Sequence, residues 1–151
     1  MINLPCLKPS LLFYTPPPLI PLMTSNTTPS GLCYTGSLVW SYPAYYAFDR
    51  NDNTYTSNVA SVTTQNIYYE FPSAHIVTRL YMVSYGFYGS IVIFQGSNDG
   101  VIWYNLGNTP YTLDVSIDDT FQNSIAYQYY QWTISNATPT FGFRTIQLYG
   151  K

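Results

Sequence analysis

The chain has 151 residues, which is enough for one domain with a buried hydrophobic core and too short for two ordinary domains. Aromatic residues make up 19% of the sequence and charged residues only 8%, with a formal net charge of −2 at neutral pH. So few basic residues argue against a phosphate-backbone partner, and we expect no binding to nucleic acid. The polar surface must consist mainly of amide and hydroxyl groups, which suit hydrogen bonding combined with ring stacking.

Residues 1–31 contain most of the eleven prolines and show no helical or strand periodicity. We interpret them as an extended proline-rich arm that docks on a larger assembly, followed by one folded domain over residues 32–151. The arm lacks the uninterrupted apolar helix of a secretory signal peptide, and no apolar run is long enough to span a membrane. A disulfide bridge between Cys6 and Cys33 would only tie the arm to the start of the domain, and the sequence leaves its formation open.

Beyond the arm, short runs of alternating polar and apolar residues are separated by turn residues. This pattern predicts an antiparallel β-sandwich or barrel without an amphipathic helix of useful length. In one run, Tyr130, Trp132 and Ile134 alternate with polar residues, as one buried and one solvent-facing side require. The predicted strands are Asn66–Phe71, Ile76–Ser84, Ser90–Gln95, Val101–Leu106, Tyr127–Ser135 and Phe143–Tyr149.

Residues 96–106, with the sequence GSNDGVIWYNL, predict a surface β-hairpin. We expect Asp99 and Gly100 to adopt positive φ in a tight turn, because both residues tolerate that conformation. We also expect Ile93 and Trp103 to face inward from the flanking strands. The hairpin is therefore interpreted as scaffold, and any binding site is expected elsewhere.

Three blocks of sequence follow one another in a characteristic order: PAYYAFDRNDNTYTSN at 43–58, the hairpin at 96–106, and YQYYQWTISNATPTFGFRTIQLYG at 127–150. In this order and spacing they resemble the discoidin family, also called the coagulation factor V/VIII C-type domain family, within the galactose-binding-like β-sandwiches. The resemblance implies an antiparallel jelly-roll β-sandwich over about residues 34–150.

Residues 49–54 place oxygen-bearing side chains close together, as a hard cation such as calcium prefers. The resemblance implies a calcium ion at this loop, held here by Asp49, Asp52, Thr54 and backbone carbonyl groups. However, Thr145 stands where many bacterial members of the family have a glutamate that helps to hold the ion. The alternative is a loop closed by Asx-type side-chain hydrogen bonds. No cofactor is expected to be required beyond this possible structural calcium.

The resemblance implies that a ligand binds at loops at one end of the sandwich, which by position are Trp40–Tyr46, Asn58–Asn66 and Ser84–Ser90. Exposed rings there could stack on a pyranose while a neighbouring Asn or Arg binds its hydroxyl groups. The alternative is that the rings fill the end of the core or contact a protein; for Trp40 and Trp103 we favour the core. Basic residues are scarce at these loops, which argues against anionic lipid. The candidate ligand-binding residues are Tyr42, Tyr45, Tyr85, Phe87 and Tyr88.

Catalysis finds little support in the sequence. Glu70 and His75 are the sole glutamate and histidine, and no motif places a nucleophile beside either. Asp118 and Asp119 are adjacent in sequence and would point to opposite faces of a strand, so they do not form a glycosidase-type carboxylate pair. We therefore expect the chain not to be an enzyme.

Together these observations favour a non-catalytic carbohydrate-binding or adhesion module, mounted by its N-terminal arm on a larger assembly such as a viral or phage particle. The alternative is a purely structural virion subunit, in a decoration, capsid or fibre-base position, whose aromatic surface packs on neighbouring proteins without binding sugar. The expected partners are a cell-surface glycan or neighbouring structural proteins in a homo- or hetero-oligomeric assembly. The expected location is a virion or an extracellular surface assembly, without membrane insertion.

Overall fold

Eight β-strands and one short 3₁₀ helix form the part of the chain that this computed structural model describes, namely residues 16–36, 42–57, 64–86, 90–111, 116–135 and 142–151. The 3₁₀ helix covers Ala44–Ala47. The strands are β1 (Leu32–Thr35), β2 (Thr64–His75), β3 (Val77–Tyr85), β4 (Ser90–Ser97), β5 (Tyr104–Tyr111), β6 (Ser116–Thr120), β7 (Tyr127–Ser135) and β8 (Gly142–Gly150). Within these ranges, no helix has the length and apolarity needed to cross a membrane.

The strands form two sheets around one hydrophobic core. The first has the order β1-β2-β7-β4-β5 and the second the order β6-β3-β8, and neighbouring strands are antiparallel throughout. The core is built from inward-facing side chains of both sheets, including Tyr69, Phe94 and Trp132 from the first and Leu80 and Leu148 from the second. The predicted all-β, antiparallel sandwich is confirmed.

β7 shows the predicted alternation in its apolar side chains, whereas Gln131, expected on the solvent-facing side, is also buried and donates to the Gln95 side chain at 2.7 Å. Tyr130, Trp132 and Ile134 are fully buried. The Trp132 ring lies 5.2 Å from the ring of Phe94, measured between centroids, and 5.9 Å from that of Phe48. Because the strand alternates in this way, its aromatic side chains form the centre of the core.

β4 and β5 form the predicted hairpin, but its turn is longer than expected. The turn spans residues 98–103, so β5 begins at Tyr104 rather than at Val101. Gly100 has a φ of 70°, whereas the expectation of a positive φ at Asp99 was wrong. Instead, Oδ1 of Asp99 accepts hydrogen bonds of 2.8 Å from the backbone N–H groups two and three residues further on. These bonds close the turn with ordinary backbone geometry at Asp99.

Ile93 and Trp103 were expected to face the core, and the structure corrects both. Val92 and Phe94 are buried on either side of Ile93, so the alternation of β4 turns Ile93 to the outer face of the five-stranded sheet. Trp103 is half-buried, with its ring 5.8 Å from that of Tyr68 on the same outer face. The longer turn explains the error, because it separates Trp103 from the strand pairing that would have directed it inward.

Residues 16–31, the described part of the predicted arm, pack on the sandwich without forming a helix or strand. Ile20 and Met23 belong to the core, with only 2% and 1% of their surface exposed. The backbone N–H of Leu19 donates to the carbonyl group of Leu148 in β8 at 2.7 Å. The core therefore extends across the predicted boundary after residue 31. Residues 1–15 lie outside the described residues, and the docking of an arm on a larger assembly stays a prediction.

Cys33 lies in β1 and is fully buried. Its thiol group donates a weak hydrogen bond to the carbonyl oxygen of Asn26, at 3.5 Å. Burial raises the pKa of this thiol to about 12. Cys6 lies outside the described residues, so the disulfide bridge stays a prediction.

Candidate ligand-binding site

Three tyrosine rings are stacked at the end of the sandwich where β3 ends and β8 begins, which we call the rim end. The Tyr55 ring lies 3.7 Å from that of Tyr85 with an interplanar angle of 18°, and 4.7 Å from that of Tyr42 with an angle of 20°. All three side chains are half-buried. We call Tyr42, Tyr55 and Tyr85 the tyrosine stack.

The backbone around Thr56 places Tyr55 in this stack. The Thr56 N–H donates to the carbonyl group of Phe143 at 2.8 Å, and the Phe143 N–H donates to the Thr56 hydroxyl group at 3.0 Å. Gly142, which pairs with Tyr85 across the two strands, allows this close approach, because a side chain there would overlap the Thr56 carbonyl group. The segment of backbone around Thr56 is thus held against β8, beside the last residue of β3.

The hydroxyl group of Tyr55 is influenced by both neighbouring tyrosines of the stack. Hydrogen bonding to the side chain of Tyr42, and secondly to the side chain of Tyr85, raises the pKa of Tyr55 above its ordinary value. Such bonds favour the protonated phenol. The Tyr55 hydroxyl group therefore stays protonated at neutral pH.

Arg144 supplies a positive charge beside the stack. The register of β3 and β8 pairs Val83 with Thr145 and Ser84 with Phe143, so Arg144 is the extra residue of a β-bulge. Its guanidinium carbon lies 5.4 Å from the centroid of the Tyr85 ring. β-Bulges redirect side chains, and this one accompanies a cation–π contact at the rim end.

Of the predicted ligand-binding residues, the structure brings Tyr42 and Tyr85 together through Tyr55, a residue that the sequence analysis did not single out. Tyr45 lies in the 3₁₀ helix and packs against the core; its ring contacts that of Tyr46, with 4.7 Å between centroids. Phe87, Tyr88 and Trp40 lie outside the described residues. Tyr55 was missed because it follows the acidic loop, whose residues were considered only as cation ligands.

The acidic loop is closed by hydrogen bonds from protein groups. Oδ1 of Asp49 accepts the backbone N–H of Asn51 at 2.9 Å, and Oδ2 accepts the Thr54 hydroxyl group at 2.7 Å. Oδ1 of Asp52 accepts the Thr145 hydroxyl group at 2.6 Å. These hydrogen bonds use part of the acceptor capacity of both carboxylates, and Thr145 adds no negative charge. The loop has the hydrogen bonds of the Asx-type alternative, and calcium stays a prediction.

The acidic and imidazole groups considered for catalysis have structural partners. Asp118 forms a bidentate ion pair with Arg79, with both N–O distances at 2.7 Å. The ring of His75 packs against that of Phe71 at 4.6 Å between centroids. Within the described ranges, no three His, Cys, Asp or Glu side chains gather in a way that could hold a metal ion.

No protein-family model matches the chain, and no curated protein sequence matches it. Solved structures do resemble its fold. Chitosan-binding module 1 of a chitosanase/glucanase from Paenibacillus sp. IK-5 is 24% identical, with a TM-score of 0.71 over 83% of this chain and 96% of that one. Chitosan-binding module 2 of the same enzyme, solved with chitotriose, is 20% identical, with a TM-score of 0.71 over 80% of this chain and 96% of that one.

A family 32 carbohydrate-binding module of Clostridium perfringens NanJ, solved with galactose, gives a similar result. It is 14% identical, with a TM-score of 0.69 over 78% of this chain and 92% of that one. At these identities the comparison concerns the fold, and it shows that the chain has the β-sandwich of these carbohydrate-binding modules. The narrower resemblance to the discoidin family stays a prediction.

Proposed function

We propose that this chain is a non-catalytic carbohydrate-binding module and that its ligand site is the tyrosine stack together with Arg144. The observation that carries the proposal is the assembly of Tyr42, Tyr55 and Tyr85 into one stack at the rim end of the sandwich. The sequence itself predicts two of these three residues, Tyr42 and Tyr85, as ligand-binding residues.

The chemistry of the stack suits a sugar. Sugars present many hydroxyl groups around an apolar ring, so their binding sites combine aromatic side chains with a few well-placed polar groups. The tyrosine stack offers rings and hydroxyl groups in the same side chains, and Arg144 adds guanidinium N–H donors. All three tyrosines of the stack are half-buried, so part of each residue is accessible.

The solved structures with this fold support the proposal. Among them, the chitosan-binding module was solved with chitotriose, the NanJ module with galactose, and another C. perfringens module with GalNAc-β-1,3-galactose. Their ligands differ, so the fold accommodates various sugars. The sugar bound by this chain has to be found by experiment.

A second candidate function is packing against neighbouring proteins in a larger assembly. Such an assembly could be a viral or phage particle or another extracellular surface assembly. This second candidate is favoured by exposed apolar side chains at the end of the sandwich opposite the rim end, which we call the far end. Val101 is 78% exposed there, and three other apolar side chains are more than half exposed. Asn98 holds the turn at 98–103 against the segment before β7, since its Nδ2 donates to the carbonyl group of Ala126 at 3.0 Å. The exposed apolar residues are Val101, Ile102, Tyr104 and Ile125.

A glycan array followed by calorimetric titration tests the first candidate. We expect the wild type to bind a defined set of glycans and Tyr55→Ala to bind them about tenfold more weakly or worse, as removal of a central aromatic contact does. Tyr104→Ala is the matched control, because Tyr104 is an exposed tyrosine at the far end. Absence of binding across the array, together with self-association that Ile102→Asp abolishes, would favour the packing role instead.

A further inference from the structure

A cleft of about 610 Å³ lies at the far end of the sandwich, where β3 begins and β8 ends. Arg79 of β3 and Tyr149 of β8 are register partners in its lining, and both face outward because Leu80 and Leu148 face the core. Residues 120–123, at and after the end of β6, line the cleft as well. Sites for small ligands are typically clefts of about 300–1,000 Å³, so this cleft has a suitable size.

Hydrogen bonds within the protein hold the sides of the cleft. The Phe121 N–H donates to the carbonyl group of Thr78 at 2.9 Å, and Nδ2 of Asn123 donates to that of the residue before Thr78 at 3.1 Å. The backbone of Lys151 exchanges two hydrogen bonds with that of Ile76, of 2.6 and 2.9 Å. The cleft is therefore formed without a ligand, as is usual for small-molecule sites.

Arg79 is fixed within this cleft by two neighbours. Its guanidinium carbon lies 4.6 Å from the centroid of the Tyr149 ring. Its Nε and Nη2 donate to the two carboxylate oxygens of Asp118, both at 2.7 Å. This ion pair uses two of the five guanidinium N–H groups and leaves three. Because the guanidinium group is held on two sides, its remaining donors keep a defined direction.

The uncharged part of the lining combines aromatic rings with hydroxyl and amide groups. Hydroxyl and amide side chains both donate and accept hydrogen bonds, as the hydroxyl groups of a sugar do. Sugar sites need such groups beside an apolar surface. The exposed polar residues of the lining are Thr78, Thr120 and Gln122, and its half-buried aromatic residues are Phe121 and Tyr149.

We propose that this cleft is a second sugar-binding site, separate from the tyrosine stack, and that its ligand is a neutral glycan. The N–H groups of Arg79 donate to sugar oxygens there, and the rings supply the apolar contact. Asp118 balances the charge of Arg79, so the pair does not require an anionic ligand. Lys151 adds a positive charge to the lining, which disfavours a cationic amino sugar. The class of ligand rests on the glycan-binding function proposed above.

A glycan array probed with variants of the full chain separates the two sites. Beyond the glycans that depend on Tyr55, we expect a group that Tyr55→Ala still binds and that Thr120→Trp loses, because the indole ring fills the cleft. Ser116→Trp is the matched control, since Ser116 is exposed on the same face at the other end of β6 and lies outside the cleft. Thermal unfolding shows whether each variant keeps the fold.

Arg79→Met tests the donors without filling the cleft, because it keeps an aliphatic side chain and removes every N–H group. For a glycan of the Tyr55-independent group, titrated calorimetrically, we expect affinity to fall about tenfold or more, as for a lost hydrogen bond to a charged group. Unchanged binding of every glycan in Thr120→Trp and Arg79→Met would overturn the second site and leave binding at the tyrosine stack intact. A Tyr55-independent group made up of cationic amino sugars would overturn the neutral ligand class. Absence of all glycan binding in the wild type would defeat the proposed function and the second site together.

Discussion

The hydroxyl group of Thr145 donates a hydrogen bond of 2.6 Å to Oδ1 of Asp52. Thr145 is buried in β8, so this bond ties the acidic loop to the last strand. Because protein groups already bind the carboxylates of the loop, we expect the wild type to have the same melting temperature with calcium as with EDTA. A saturable rise on adding calcium would contradict this, since a ligand of the folded state raises its stability by mass action.

Thr145→Glu is the corresponding gain-of-function test. It places a carboxylate beside Asp52 and supplies a ligand type that calcium prefers. We expect a calcium-dependent rise in melting temperature in this variant. Thr145→Gln is the control, because it has a similar size without the charge and should show no response to calcium.

Ile20 contributes to the core although it lies in the proline-rich segment. We expect Ile20→Ala to lower the free energy of unfolding by roughly 2–5 kcal/mol, as for other buried aliphatic residues. Leu22→Ala is the matched control, because Leu22 is 50% exposed and its truncation should have little effect. Urea unfolding measures both. Equal, small effects would show that residues 16–31 do not belong to the folded unit.

The Cys33 thiol gives stability a specific pH dependence. Burial raises its pKa from 9.0 to about 12, so the folded chain keeps a proton that the unfolded chain releases. The contribution of the Cys33 thiol to the free energy of unfolding is fully present below pH 9.0 and is lost as the pH rises towards about 12. We expect the free energy of unfolding to fall less steeply above pH 9.0 in Cys33→Ala than in the wild type, because other titrating groups are common to both. Parallel slopes would contradict this, and a disulfide bridge to Cys6 would produce them.

A substitution at Gly142 tests whether the packing of the Thr56 segment against β8 forms the site. A Cβ at this position would overlap the Thr56 carbonyl group, so Gly142→Ala should separate the loop from β8. We expect a loss of about 1–3 kcal/mol in the free energy of unfolding and weaker glycan binding, because Tyr55 moves with the loop. Gly107→Ala is the control, since no atom lies within 4 Å of its added Cβ. A stable, fully binding Gly142→Ala variant would show that this contact does not position Tyr55.

The long strands could be predicted from the sequence because burial follows their alternation, as in β7. β1 and β6 could not, for two physical reasons. β1 has only four residues, and β6, with the sequence SIDDT, is largely exposed, so neither shows a clear buried face. These segments become strands because they pair with β2 and β3, and that pairing depends on residues far away in the sequence.

The candidate site could be predicted only in part for a similar reason. Tyr42 and Tyr85 were selected from their loops, but their connection through Tyr55 depends on how residues 54–57 cross Gly142. The side-chain direction of Trp103 depends likewise on the length of a turn. Local patterns do not report distances between separate loops, so the partners of an aromatic side chain needed the structure.

The apolar turn at 98–103 and the tyrosine stack lie at opposite ends of the same sandwich. β3 alone has nine residues and separates the two ends by about 30 Å at the usual rise of a strand. A protein held at Val101 and Ile102 would therefore leave Tyr55 and its neighbours uncovered, and a sugar at the stack would not touch that protein. If both proposed contacts form, the length of the sandwich therefore sets the distance between the sugar and the protein at the far end.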